Sequence, residues 1–212
     1  MAYSYTNRQG RVHYFRANKT RKGNIRYYVT TSDKYTNLID EVPEGFEVAE
    51  LPYDGKVVIR KKVSILTTPE EKQIVYNAIQ EYSDIKDFFI HAEQDYLYVY
   101  HSQFNYAGGQ EPNLSRDEAV ELWSDMVIQW MKFDTALKFQ LVDQEKRLFQ
   151  TERLVHLGLF HQEFFKIGKT GSLADLAQKF GQHLGKDSFF DIEPEGLQIY
   201  VREIPLNPRQ EP

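Results

Sequence analysis

The chain has 212 residues, is 41% hydrophobic and 14% aromatic, and carries a formal net charge of −5; it is long enough for one domain, or two small ones, with a buried core. It contains no cysteine, which excludes disulfides, cysteine nucleophiles, thiolate zinc sites and iron–sulfur clusters. The charge is unevenly placed: Arg8, Arg11, Arg16, Lys19, Arg21, Lys22 and Arg26 all precede the first acidic residue, Asp33, so residues 1–32 carry +7 and the remainder −12.

Residues 1–10 are polar and aromatic without an apolar stretch, which predicts no secretory signal. No run approaches the roughly 18 apolar residues that span a bilayer. The expectation is a soluble, cytoplasmic protein with no membrane partner.

The first sixty residues read as β. Residues 12–17 and 25–31 are rich in Val, Ile, Tyr, Phe and Thr, and 18–24 between them have turn chemistry, which places the basic charge on a hairpin and its tip. A second pair, 46–51 and 56–63, flanks Pro52-Tyr53-Asp54-Gly55, whose Asp-Gly step favours a tight turn. The acidic segment 40–45 between the hairpins stands close enough in sequence to neutralise part of the basic surface.

Three amphipathic helices follow. Thr68, Pro69 and Glu71 form a capping box with proline at the first helical position, and Ile74, Val75, Ala78, Ile79 and Tyr82 make the expected buried stripe. Ser115 and Glu118 open a second helix whose face carries Ala119, Leu122, Trp123, Met126, Val127, Trp130 and Met131. Ser172 and Asp175 open a third, burying Leu173, Leu176, Ala177, Phe180 and Leu184 before Gly185 stops it.

Each helix is followed by two strand-like runs: 85–92 and 96–102, then 137–142 and 147–157, then 188–192 and 197–204. The predicted fold is α+β, with antiparallel hairpins, about three amphipathic helices packed on the sheet, and an all-β N-terminal part. The expected organisation is a basic hairpin region at 1–63, a core of three helix–hairpin units at 64–204 and a disordered tail at 205–212. The segment 104–114, with Gly108-Gly109 and Pro112, is the expected flexible connection.

Motifs with chemical content are few. Gly168-Lys169-Thr170 has the ending of a phosphate-binding P-loop, but the glycine required five residues earlier is Glu163, and the preceding segment lacks the expected apolar strand. A helix cap by Ser172 explains the turn better than an anion site. The six histidines, at 13, 91, 101, 156, 161 and 183, form no metal-binding spacing; Glu152 and His156 share a sheet face, and ordinary core or surface roles are favoured. The carboxylates cluster at turns and the chain has no Gly-x-Ser-x-Gly, so no catalytic residue, metal or cofactor is expected. Trp123 and Trp130 read as core or, if exposed, as a partner stripe.

The hairpin is therefore the leading feature. Clustered Arg and Lys attract polyanions, and free aromatic faces stack on bases. Side chains alternate along a strand, so only one of Tyr14 and Phe15, and one of Tyr27 and Tyr28, is free for this. The expectation is a non-catalytic protein binding a polyanion, nucleic acid first: Arg11, Arg16, Lys19, Arg21, Lys22 and Arg26 meet phosphates, and Tyr14 and Tyr27 supply stacking. Two other readings compete: an adaptor docking the hairpin on an acidic protein partner, and an enzyme whose histidines and carboxylates converge only in three dimensions. The bland alternative is a solvated or internally neutralised edge.

Overall fold

The structure, a computed structural model, describes residues 1–102, 121, 132–157 and 161–196. In chain order the elements are β1 (Ser4–Thr6), β2 (Val12–Lys19), β3 (Ile25–Thr30), β4 (Phe46–Glu50), β5 (Val57–Lys61), α1 (Pro69–Tyr82), β6 (Phe88–Glu93), β7 (Tyr96–Ser102), β8 (Phe133–Asp143), β9 (Leu148–His156), β10 (Gln162–Ser172) and α2 (Leu173–Gly181). The strands form three antiparallel sheets, ordered β1-β2-β3, β4-β5 and β10-β9-β8-β7-β6.

Both helices pack against each other, and each contacts the five-stranded sheet. The core between them holds Val75, Ala78 and Ile79 of α1, Leu173, Leu176, Ala177 and Phe180 of α2, and Ile90, Leu97, Val99, Leu137, Phe139, Leu141, Phe149 and Ile167 of the strands. This is an α+β layer: the sheet buries one side of its pleat under the amphipathic stripes of the helices.

α1 begins as its sequence dictates. The Thr68 hydroxyl accepts from the Glu71 amide, the Glu71 carboxylate accepts from the Thr68 amide, and Pro69 occupies the first turn. Ile74 is a correction: it is 39% exposed, because Glu71, Val75, Ala78 and Ile79 fill the buried arc and Ile74 stands beyond its flank. α2 is capped by Ser172 and followed by Leu184, fully buried, and by Gly185 at φ +83°.

The described residues hold two complete α-helices; of the helix expected over 115–131, only Glu121 is described, and it is helical, while the rest, with Trp123 and Trp130, lies outside them, as do the connection 104–114, the strand expected at 197–204 and the tail 205–212. The strand expected at 188–192 is corrected to a 3-10 turn at Asp187–Phe189, since Phe189 is drawn into the core and its carbonyl accepts from Arg153 Nη1 at 3.2 Å. β10 also corrects the expectation that no strand precedes Gly168-Lys169-Thr170. Its alternation is broken by an irregularity between Ile167 and Gly171, which hides the period. No helix among the described residues is long and apolar enough to cross a membrane.

Candidate nucleic-acid interface

The pairing of β2 with β3 sets Tyr14 opposite Thr30, Arg16 opposite Tyr28 and Asn18 opposite Arg26. Alternation then puts Tyr14, Arg16, Arg26 and Tyr28 on one face and Phe15, Tyr27 and Val29 on the other. Phe15 is fully buried and packs on Tyr3 with ring centroids 5.5 Å apart, while Tyr27 meets Phe46 edge-on at 4.9 Å. Tyr14 and Tyr27 therefore do not share a face. The aromatic beside Tyr14 and Arg16 is Tyr28.

Arg16 is the centre of the outer face. Its guanidinium carbon lies 5.4 Å from the Tyr28 ring centroid and 4.5 Å from that of Tyr35, a cation–π arrangement, and its buried Nε has no hydrogen-bond partner. At the tip, Thr20 N donates to the Asn24 carbonyl at 2.8 Å, Gly23 N to the Thr20 carbonyl at 2.9 Å and Asn24 N to Thr20 Oγ1 at 3.1 Å. Gly23, at φ +85°, closes this turn where a side chain would be strained. Arg21 and Lys22 are thereby held out to solvent.

β2 is hydrogen-bonded along both edges. β3 covers one; on the other, beyond β1, Ile39 N donates to the Phe15 carbonyl at 2.9 Å and Ala17 N to the Asn37 carbonyl at 3.1 Å. Asn37 Nδ2 adds bonds to the Ala17 carbonyl at 3.0 Å and to Asn18 Oδ1 at 2.5 Å.

The remaining cations are distributed by the same register. Lys19 pairs opposite Ile25 at the end of the inner face, and Arg11 lines a cleft behind the sheet with His13. Arg8 is structural: it pairs with Glu50 at 3.3 Å, donates through Nη2 to the Pro52 carbonyl at 2.5 Å, and lies over Phe89 and Phe133 of the large sheet at 5.4 and 4.9 Å. Arg16, Lys19, Arg21, Lys22 and Arg26 make no ion pair among the described residues. In the acidic segment 40–45, Asp40 meets the terminal amine at 3.8 Å, and none of its carboxylates pairs with a hairpin cation. Internal neutralisation is therefore not what occupies these five.

The other candidates resolve differently. Gly168-Lys169-Thr170 lies inside β10, with Gly168 at φ +61° under the Phe180 ring. Glu152 is held by Lys138 at 2.9 Å, and His156 is exposed at the end of β9. His101, Asp134 and His156 line a cleft of 580 Å³ together with Tyr53, Phe164 and Phe190. Burial pushes the His101 pKa down, as it does for His91. No group of three His or acidic side chains is placed to hold a metal among the described residues.

Sequence reasoning missed an aromatic face. On the side of the large sheet away from the helices, Tyr96, Tyr98 and Tyr100 stand in a row with ring spacings of 5.5 and 6.1 Å, and Lys138 Nζ lies 4.4 Å from the Tyr96 centroid and 4.3 Å from that of Phe164. Burial pushes the Tyr98 hydroxyl up to about 12. The alternation Tyr96-x-Tyr98-x-Tyr100 was the available signal. Compared with known proteins, the chain matches no family model, no curated protein and no solved structure.

Proposed function

We propose that the protein is a non-catalytic polyanion-binding protein of the cytoplasm, with nucleic acid as its first ligand and the outer face of the β2–β3 hairpin as its site. The observation that carries this reading is that five hairpin cations, Arg16, Lys19, Arg21, Lys22 and Arg26, stand without an ion pair among the described residues, in a chain whose remainder is strongly acidic. Arg16, Arg21, Lys22 and Arg26 serve as phosphate contacts around the outer face and tip, with Lys19 beside them, and Tyr14 and Tyr28 as the aromatic surfaces against which unpaired bases stack. Arg11 and Tyr27, turned to the inner side, have no phosphate or stacking role in this arrangement.

The test is fluorescence anisotropy with single- and double-stranded DNA and RNA across a salt series, for the native chain and an Arg21→Ala/Lys22→Ala/Arg26→Ala variant. These three side chains are exposed, so the variant is expected to fold. Removing three phosphate contacts should flatten the slope of log K against log salt by about 2–3. Binding that is absent at low salt, or unaltered in the variant, rejects the reading. Acidic protein surfaces then become the partners to seek.

A further inference from the structure

Arg16 is set apart from the other hairpin cations by how firmly it is placed. It stands on β2, the middle of three chains: Tyr28 of β3 faces it on one side, and Leu38, in an isolated antiparallel bridge, on the other. The segment that leads to Leu38 brings Tyr35 to the guanidinium, whose carbon has this ring centroid at 4.5 Å and that of Tyr28 at 5.4 Å. An arginine on an open strand samples many rotamers, whereas one flanked by two aromatic rings is pre-organised for planar recognition.

Its donors are divided. Nε is sealed from solvent and takes no part in meeting a ligand. Among the described residues, Nη1 and Nη2 are neither sealed nor hydrogen-bonded, and no carboxylate pairs with them. The outer fork of a fixed planar cation is therefore open to solvent, and the rings beside it are open with it, Tyr28 at 38% and Tyr35 at 45% exposure.

Such a fork matches two acceptors lying side by side in one plane. A nucleic acid offers this pair as two phosphate oxygens or as O6 and N7 of guanine. The rings beside the fork favour the second: they complement the flat faces of a base and offer nothing to the remaining, hydrated oxygens of a phosphate. Phosphates are met by Arg21, Lys22 and Arg26, which are exposed toward the tip. A face three chains wide is also broader than the helix or two-stranded ribbon that a major groove admits, so the guanine must be unpaired.

We infer that Arg16 is the base-reading residue of the hairpin, its Nη1 and Nη2 donating to O6 and N7 of a guanine in a single strand, with Tyr28 and Tyr35 against the base. This rests on the polyanion reading of the same face and narrows it: the tip cations hold the phosphates of any sequence, and Arg16 selects the base.

The experiment is a competition, followed by fluorescence anisotropy, among thymine-rich single strands of equal length and charge. They carry two isolated guanines, 7-deazaguanine at the same places, or adenine there; the duplex form of the first is a fourth competitor. The native chain should hold the guanine strand at least about fivefold more tightly than the 7-deazaguanine strand, which lacks the N7 acceptor, and the adenine strand, which turns a donor toward the fork. It should also prefer that strand to the duplex. Arg16→Lys keeps the charge and removes the fork, so the three strands should become equal while the slope of log K against log salt stays the same; unaltered binding of the 7-deazaguanine strand shows that this variant is folded. Tyr35→Ala, at an exposed position, frees the fork and should shrink the preference too. Arg21→Ala/Lys22→Ala/Arg26→Ala should weaken all three strands alike and keep their ratio. Equal binding of the three strands by the native chain, a guanine preference that persists in Arg16→Lys, or tighter binding of the duplex overturns the inference while the polyanion reading stands. Absence of binding by every oligonucleotide at low salt rejects that reading, and this inference with it.

Discussion

At the scale of single residues, the sharpest constraint is Gly168. It sits at φ +61°, and a Cβ there would lie 2.6 Å from Phe180 Cζ, inside the core. Gly168→Ala should therefore cost about 2–3 kcal/mol through backbone strain and overpacking together, read as a lower urea midpoint; a change below about 0.5 kcal/mol, the size of an ordinary surface substitution, would rule this account out. Glu71 is a second such position. Its carboxylate closes the α1 capping box and accepts two bonds from Arg147, at 2.8 and 2.5 Å, while 8% exposed. Arg147 itself is at φ +49° in the β8–β9 turn, so this contact ties that turn to the start of the helix. Glu71→Ala should destabilise by about 2 kcal/mol, more than the roughly 1 kcal/mol of a lost cap alone, and a double-mutant cycle with Arg147→Met should show coupling.

The histidines give a pH prediction of definite sign. Burial lowers the pKa of His91 and His101 from an ordinary value of 6.5. Between that value and their lowered folded values the unfolded chain holds more protons, so stability rises with pH across this window. It is undiminished above 6.5 and is lost as pH falls toward the folded values. The urea midpoint should therefore drop between pH 7.5 and pH 5, and drop less in a His91→Gln variant; an identical drop in both would remove His91 from the explanation.

At the scale of elements, α1 and α2 meet where a Cβ on Gly181 would lie 2.5 Å from Ile79 Cδ1. The added methyl would displace the end of the buried Ile79 side chain, so Gly181→Ala should cost about 1 kcal/mol by overpacking, while an Ile79→Val companion change should return part of it; failure of that rescue would place the strain elsewhere. How far the elements could be read follows the same physics. The two N-terminal hairpins, α1, α2 and the strands β6 to β9 were legible because turn residues, capping boxes and clean alternation coincide there. β10 was not, because Gly168 and Gly171 and the irregularity between Ile167 and Gly171 break its period. The segment 188–192 looked like a strand by composition alone; tertiary burial of Phe189 decided otherwise. In the candidate site, the hairpin and its cations were legible, and strand alternation warned that one aromatic of each adjacent pair, Tyr14/Phe15 and Tyr27/Tyr28, turns inward. Choosing Tyr28 over Tyr27 needed the register, which the sequence does not state. The approach of Tyr35 to Arg16 was invisible because the two meet only through folding.

At the scale of the whole molecule, the charge map matters more than the total. A chain with net charge −5 and pI near 5.7 should pass a cation-exchange matrix at neutral pH if charge were evenly spread. With +7 gathered in residues 1–32, it should instead be retained on heparin at low salt and elute earlier in the Arg21→Ala/Lys22→Ala/Arg26→Ala variant. Co-elution of the two proteins would show that the hairpin field does not govern retention.

The double lacing of β2 has a consequence for how the proposed interface works. A strand bonded to β3 on one side and to β1 and residues 37–39 on the other has little conformational freedom left to surrender. Ligand capture on its outer face would then proceed with almost no ordering of the protein backbone, and the entropic penalty would fall on the flexible partner. A single strand, which must straighten to lie along the hairpin, would carry that penalty in its unstacking, and a sequence already unstacked in solution would be held longest.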